Sequence, residues 1–266
     1  MADNPIAKRP VVLELPGMDA VSIERDLRYG SAGPRHRFDV YRPAERASAA
    51  LPAVLFVTGY ADAGAEKMFG CRLMDLAAYT CWARLVACMG VVGILYENEQ
   101  PAADARTVLE HVRTNAKALG IDAQRVGLWS CSGNAPNALG LIAENPDIAC
   151  AALVYGYTLD LDGHGDVAAA QAQFGFTYPA GIEVTALRRT PLLLVRAGRD
   201  EAPGLNAALD RFVQGALAAS VPLTLVNYPE GSHAFDILDA SSGSRAAIRQ
   251  TLAFLRARLL DAADGA

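Results

Sequence analysis

The chain has 266 residues, 52% of them hydrophobic, and a formal net charge of −5. This length and apolar content are enough to bury one large core, so we predict a single domain over residues 1–266. An acidic balance without a cluster of Lys or Arg argues against nucleic acid or an anionic membrane as the partner, and favours small neutral or apolar molecules.

Two further features bear on localisation. The first ten residues have no apolar core of signal-peptide length, and no stretch is apolar for long enough to span a bilayer. The cysteines form an odd set without a Cys-x-x-Cys pair, which indicates reduced thiols and neither disulfides nor a zinc site; they are Cys71, Cys81, Cys88, Cys131 and Cys150. We therefore expect a soluble, cytoplasmic protein.

Polar and apolar residues alternate in the N-terminal part, which is typical of an antiparallel hairpin with one face exposed to solvent. Residues 22–29 and 37–41 are the predicted strands, and residues 30–34 supply the turn. Residues 43–50 are predicted to form a solvated loop.

Continuous apolar runs then alternate with helical patterns. We predict buried strands at 53–57, 91–96 and 125–130, and helices at 72–89 and 104–119. Strands that alternate with helices in this way indicate a mostly parallel sheet with helices on both faces.

The second half of the chain continues this alternation with one interruption. Residues 156–190 carry Gly, Pro and Asp at irregular intervals around a short Ala-rich segment, so we predict an inserted flap that could cover a site at the carboxyl edge of the sheet. The other predicted elements, which bring the sheet to about eight strands, are helix 135–144, strand 150–155, strand 192–197, helix 206–218, strand 223–228 and helix 245–260, with a frayed tail at 261–266.

The stretch Ser130-Cys131-Ser132-Gly133-Asn134 marks an abrupt corner between strand 125–130 and helix 135–144. A serine at the apex of such a corner is exposed, and the first N–H groups of the helix face whatever it attacks. The usual pattern is Gly-x-Ser-x-Gly. Here Ser and Asn replace the two glycines, but Ser is small and Asn tolerates unusual backbone angles, so the corner remains feasible.

A serine nucleophile needs a base and a group that orients the base. Asp200 follows strand 192–197 directly, and His233 follows strand 223–228. Because the carboxyl ends of parallel strands share one edge, we expect both side chains near Ser132. Glu201, beside Asp200, is an alternative acid.

The order Ser132, Asp200, His233 is that of the α/β-hydrolase fold. With Phe38-Asp39-Val40-Tyr41-Arg42-Pro43 at the second strand and Thr58-Gly59-Tyr60 after the third, the chain resembles α/β-hydrolases of the esterase and dienelactone-hydrolase-like kind over most of its length. The resemblance implies an oxyanion hole formed by the backbone N–H groups of Gly133 and Tyr60. The single glycine in the Thr58–Tyr60 loop goes, in that family, with esterases for small to medium acyl groups.

The resemblance implies a serine hydrolase that cleaves carboxylic esters through an acyl-enzyme, without a cofactor. Gly59, Cys131, Tyr155 and Tyr157 are the predicted pocket residues. The expected partner is a small ester, and the chain could form a homodimer. Alternatives are an amidase, peptidase or dienelactone-type hydrolase, and a slow or non-catalytic ligand-binding protein on the same scaffold.

Simpler interpretations accompany each candidate residue. Ser132 could be a helix N-cap. Cys131 is the rival nucleophile, although that register places bulky Trp129 at the tight position before the corner. Asp236 is interpreted as a surface or helix-start carboxylate, and His36 and His111 as ordinary surface residues.

Asp160, Asp162, His164 and Asp166 alternate within the flap. On an extended strand they would share one side and could bind a metal ion, but a solvated polar loop explains them more simply, and we predict no metal site.

Overall fold

The computed structural model describes residues 4–30, 36–45 and 49–261. Parts of three predicted segments lie outside the described residues. They are residues 31–34 of the turn predicted at 30–34, residues 46–48 of the loop predicted at 43–50, and residues 262–266 of the tail predicted at 261–266. No helix in the described part of the chain is long and apolar enough to cross a membrane.

Within the described residues, eight strands form one sheet in the order β1-β2-β4-β3-β5-β6-β7-β8. Their bounds are β1 Ser22–Arg28, β2 Arg37–Arg42, β3 Leu51–Phe56, β4 Val92–Tyr96, β5 Ile121–Cys131, β6 Ala151–Val154, β7 Leu192–Ala197 and β8 Leu223–Tyr228. β2 pairs antiparallel with β1 and β4, and every other pairing is parallel. The predicted fold class, a mostly parallel sheet with an antiparallel start, is confirmed.

The helices are α1 Asp62–Phe69, α2 Ala77–Cys88, α3 Pro101–Thr114, α4 Ala135–Glu144, α5 Asp166–Phe174, α6 Leu205–Ala218, α7 Phe235–Leu238 and α8 Ser242–Leu259. Residues of α2 and α8 belong to the apolar core on one face of the sheet, whereas residues of α3, α4 and α6 belong to the core on the other. Helices therefore cover both faces, as predicted.

Helix α2 begins later than the predicted residue 72. The chain is extended at Leu76, with ψ 132°, and residues Leu73–Asp75 form a separate 3-10 turn. The carboxylate of Asp62 accepts the Leu73 N–H at 3.1 Å, and Arg72 pairs with Asp75. These local bonds compete with helix propagation, so the apolar spacing alone misplaced the start.

Helix α3 begins three residues before the predicted 104, because Pro101 suits the first helical turn and Asp104 accepts the N–H groups of Glu99 and Gln100 at 2.7 and 2.8 Å. Helix α1 was not predicted. The segment contains Gly64, which weakens the helical pattern.

The predicted flap joins β6 to β7 and contains helix α5 and the 3-10 turn Val184–Leu187. Beyond α5, the Thr177 N–H donates to the Gly59 carbonyl at 2.7 Å. The flap is thus attached to the loop that follows β3, at the carboxyl edge of the sheet.

Candidate active site

Ser132 lies where β5 turns into helix α4. The strand ends at Cys131, a single 3-10 turn spans Ser132–Asn134, and α4 begins at Ala135. Ser132 has φ +53°, a left-handed conformation that costs a non-glycine residue free energy. A strained corner of this kind holds the serine hydroxyl clear of both flanking elements.

His233 bridges Ser132 and Asp200. The Ser132 Oγ lies 2.9 Å from His233 Nε2, and His233 Nδ1 lies 2.7 Å from Asp200 Oδ2. The Asp200 side chain is fully buried, whereas 37% of the His233 side chain is exposed. The other carboxylate oxygen, Oδ1, accepts the Ala202 N–H at 2.9 Å, which fixes the carboxylate plane. Ser132, Asp200 and His233 thus lie in contact, as expected from their order in the sequence, whereas Glu201 is exposed to solvent.

The loops that carry Asp200 and His233 touch directly. The Arg199 N–H donates to the Gly231 carbonyl at 2.7 Å. Gly198 is needed for this approach, because a Cβ there would lie 2.7 Å from the Cα of Pro229. The absence of a side chain at Gly198 therefore allows the loops of the acid and the base to approach this closely.

The predicted oxyanion loop, Thr58–Tyr60, packs against the corner. A Cβ on Gly59 would lie 2.8 Å from the Gly133 carbonyl oxygen, so only glycine fits there. Gly59 is consequently buried and serves backbone packing, with no side chain to line a pocket. The amides of Gly133 and Tyr60 remain our candidates for oxyanion donors.

Cys131 faces the interior beneath the corner. It is 8% exposed, its Sγ lies 3.7 Å from the Tyr79 hydroxyl, and burial raises its pKa to about 12. A thiol with that pKa is protonated at neutral pH and is a poor nucleophile. The geometry favours Ser132 as nucleophile and does not place Cys131 on a pocket wall.

Tyr155 and Asp236 form a buried pair under the His233 ring. The Tyr155 hydroxyl donates to Asp236 Oδ1 at 2.6 Å, and Trp82 Nε1 donates to Oδ2 at 2.8 Å. Tyr155, a predicted pocket residue, packs its ring 5.1 Å from that of His233 and is 4% exposed, so it supports the histidine from inside the protein. Asp236 does lie at a helix start, in α7, but it is 1% exposed; the surface interpretation is wrong.

Aromatic side chains close one side of the corner. Phe176, from the flap, stacks on Tyr157 at 5.3 Å and packs edge-on against Tyr60 at 6.0 Å. The Phe176 Cδ1 and the Tyr60 hydroxyl both lie against the Cα of Gly133, where a Cβ would meet them. Tyr157 is 2% exposed and its hydroxyl donates to the Pro203 carbonyl. Tyr157 therefore packs behind Phe176 and exposes almost none of its own surface to solvent.

Two of the alternating acids of the flap, Asp160 and Asp166, have partners within the protein. Asp160 accepts the N–H groups of Val167 and Ala168 at 2.8 Å each, at the start of α5, and Asp166 pairs with Arg211. Among the described residues, no group of three or more His, Cys, Asp or Glu side chains could hold a metal ion.

His36 and His111 are half-buried packing residues and not fully exposed. His36 Nε2 lies 3.3 Å from Asp104 Oδ1, and its ring lies 5.0 Å from that of Tyr29. His111 packs edge-on against Phe38.

Sequence reasoning missed the structural roles of Asp236 and Phe176, and it treated Ser130 and Asn134 only as substitutes for glycine. The Asn134 side chain in fact contacts the backbone of Gly59. The sequence did contain a clue to this role, because the polar residues Ser130 and Asn134 stand where the common pattern has glycine.

No protein-family model and no curated protein matches this sequence. Solved structures do. A thermostable esterase from Pseudomonas putida is 17% identical with TM-score 0.69, over 94% of this chain and 86% of that one. A bacterial heroin esterase is 16% identical with TM-score 0.70, over 93% and 87%. An ester hydrolase from the metagenome of Lake Arreo is 21% identical with TM-score 0.63, over 91% and 86%. The chain therefore has the α/β-hydrolase fold.

Proposed function

We propose that this protein is a serine hydrolase of carboxylic esters with small to medium acyl groups. The observation that carries the proposal is the contact of Ser132 Oγ with His233 Nε2 at 2.9 Å, on a corner held at φ +53°, with Asp200 behind the histidine. A serine that is merely a helix N-cap requires neither the imidazole nor the buried carboxylate.

The geometry suits acyl transfer by a two-step route. Ser132 Oγ attacks the ester carbonyl carbon while its proton passes to His233 Nε2, and Asp200 stabilises the resulting imidazolium. The N–H groups of Gly133 and Tyr60 are proposed to bind the oxyanion. Collapse breaks the bond to the alcohol, which takes the proton from His233. Water then attacks the acyl-enzyme in the same way and releases the acid.

The fold neighbours support an ester as the substrate, since proteins named as esterases recur among them. At 16–21% identity they do not specify the acyl or the alcohol group. Amides and lactones are therefore comparison substrates in the experiment.

We expect Ser132→Ala to reduce hydrolysis of 4-nitrophenyl acetate by about 10⁴-fold or more, because the nucleophile is removed. The melting temperature should stay close to that of the unmodified protein, since alanine keeps the backbone strain at φ +53° unchanged and the loss of one hydroxyl is a small effect.

Cys131→Ala serves as the neighbouring control and should retain turnover. Retained turnover in Ser132→Ala would contradict the proposal, and loss in Cys131→Ala alone would move the nucleophile by one residue. A single covalent adduct per chain without steady-state turnover would favour a ligand-binding protein.

The cysteine chemistry supports a reducing compartment, and we propose the cytoplasm. All five cysteines are free thiols, three of them buried. Free thiols persist where disulfide formation is suppressed.

A further inference from the structure

The loop after β3 is held by side chains from one short segment, Ser130 to Asn137. The Ser130 hydroxyl donates to the Val57 carbonyl at 2.9 Å. The Asn137 side-chain amide donates to the Thr58 carbonyl at 2.7 Å. All of these groups are buried, so each bond is made without competition from water.

Asn134 completes the series. The Gly59 N–H donates to Asn134 Oδ1 at 2.7 Å, and Asn134 Nδ2 donates to the Tyr79 hydroxyl at 2.9 Å. The orientation of the carboxamide follows from these partners, because a backbone N–H requires the oxygen and leaves the NH₂ for Tyr79. Asn134 is 4% exposed and Tyr79 is likewise buried.

Successive residues 57, 58 and 59 are thus each bonded to the segment that carries Ser132. The Gly59 carbonyl, in turn, accepts the Thr177 N–H. The next amide along the loop is that of Tyr60, the candidate oxyanion donor. A donor contributes fully to the transition state only when it is already aimed at the developing charge.

We infer that Ser130 and Asn134, which replace the glycines of the usual Gly-x-Ser-x-Gly pattern, are positioning residues that hold the oxyanion loop in register with Ser132. This inference rests on the proposed ester hydrolysis. Glycine at either position has no side chain to reach the loop. The two departures from the pattern therefore support catalysis in this chain and do not weaken it.

The test is to restore the usual pattern. We expect Asn134→Gly to lower kcat for 4-nitrophenyl acetate by roughly ten- to hundred-fold, which is less than the 10²–10³ lost with a donor itself, because the Tyr60 amide is misplaced and not removed. KM should change less than twofold, since ground-state binding does not use the oxyanion hole. Ser130→Gly combined with Asn134→Gly should lower kcat further.

A boronic acid, which forms a tetrahedral adduct on the serine, separates positioning from mere packing. We expect the inhibition constant of phenylboronic acid to rise in parallel with the fall in kcat. Tyr79→Phe retains Asn134 but removes the acceptor of its NH₂ group. It should lower kcat by a smaller factor, and it covers the case in which a glycine variant fails to fold.

Asn145→Ala is the matched control. Asn145 lies at the far end of α4 and its side chain donates to the Leu141 carbonyl at 2.9 Å, so we expect unchanged kcat and inhibition. Unchanged kcat and boronic-acid affinity in folded Asn134→Gly would overturn the inference alone. An unmodified chain that turns over no ester would overturn the proposed function, and this inference with it.

Discussion

Asp62 is a buried carboxylate next to the proposed oxyanion loop, at the start of α1. Its Oδ2 accepts the Asn98 N–H at 2.8 Å and its Oδ1 accepts the Leu73 N–H at 3.1 Å. Burial raises its pKa to about 6, against the opposing effect of these donors and with a smaller contribution from the charge of Glu97. The folded protein therefore binds a proton at a pH where the unfolded chain has released it.

The sign of the pH effect follows from that difference. Between about pH 4 and pH 6 unfolding releases a proton from Asp62, so the free energy of unfolding falls as pH rises, by about 3 kcal/mol in total from this residue. We expect Asp62→Asn to remove this slope in urea titrations at pH 4 to 7. The exposed acid Asp19 provides a control in Asp19→Asn. Parallel stability curves for Asp62→Asn and the unmodified protein would contradict the assignment.

Among the elements, the flap places one large buried side chain against the candidate site. Phe176 is 1% exposed, lies two residues beyond the end of α5, and packs against Gly133 and Tyr60. We propose that the acyl chain of the ester lies on this side of the corner, where the Phe176 ring limits its length. On this proposal the flap limits acyl size, a role that its loop-like sequence does not reveal.

We expect Phe176→Ala to shift acyl preference towards longer chains. The ratio of kcat/KM for the hexanoyl ester to that for the acetyl ester should rise by roughly tenfold. The reason is that each methylene group that enters the new cavity contributes at most about 1–3 kcal/mol. The cavity should also cost about 3 kcal/mol of stability or more. Phe174→Ala is the matched control, since Phe174 is 37% exposed in α5. An unchanged ratio in a folded Phe176→Ala would contradict this role.

At the scale of the whole molecule, most of the fold and the positions of the candidate site residues could be predicted from the local apolar pattern and the order of the elements along the chain. Strands β7 and β8 and helix α4 match their predicted bounds, because continuous apolar runs and clear flanking residues define them. The positions of Asp200 and His233 followed from parallel strands having a common edge. The start of α2 did not follow, because bonds made by the Asp62 carboxylate and the Arg72 side chain override the apolar spacing. The burial of Asp236 did not follow either, because its partners are distant in sequence. Asp236 and Trp82 are 154 residues apart.

Asp236 joins distant parts of the molecule and gives the last prediction. Its carboxylate accepts from Trp82 in α2 and from Tyr155 after β6, while its carbonyl accepts the Val12 N–H at 2.8 Å. Burial raises its pKa, but the two side-chain donors satisfy the carboxylate. Asp236→Ala leaves both donors buried without a partner and opens a cavity beneath His233.

We expect Asp236→Ala to lower the free energy of unfolding by about 2–5 kcal/mol in urea titrations, since each unpaired buried donor costs about 1–3 kcal/mol. Asp210→Ala is the matched control: that carboxylate is 54% exposed and pairs with Arg196 at the surface, so its loss should cost about 1 kcal/mol or less. Equal losses in the two variants would show that the Trp82 and Tyr155 bonds do not stabilise the fold. Because Tyr155 also packs on His233, ester turnover should fall in Asp236→Ala even where the protein remains folded.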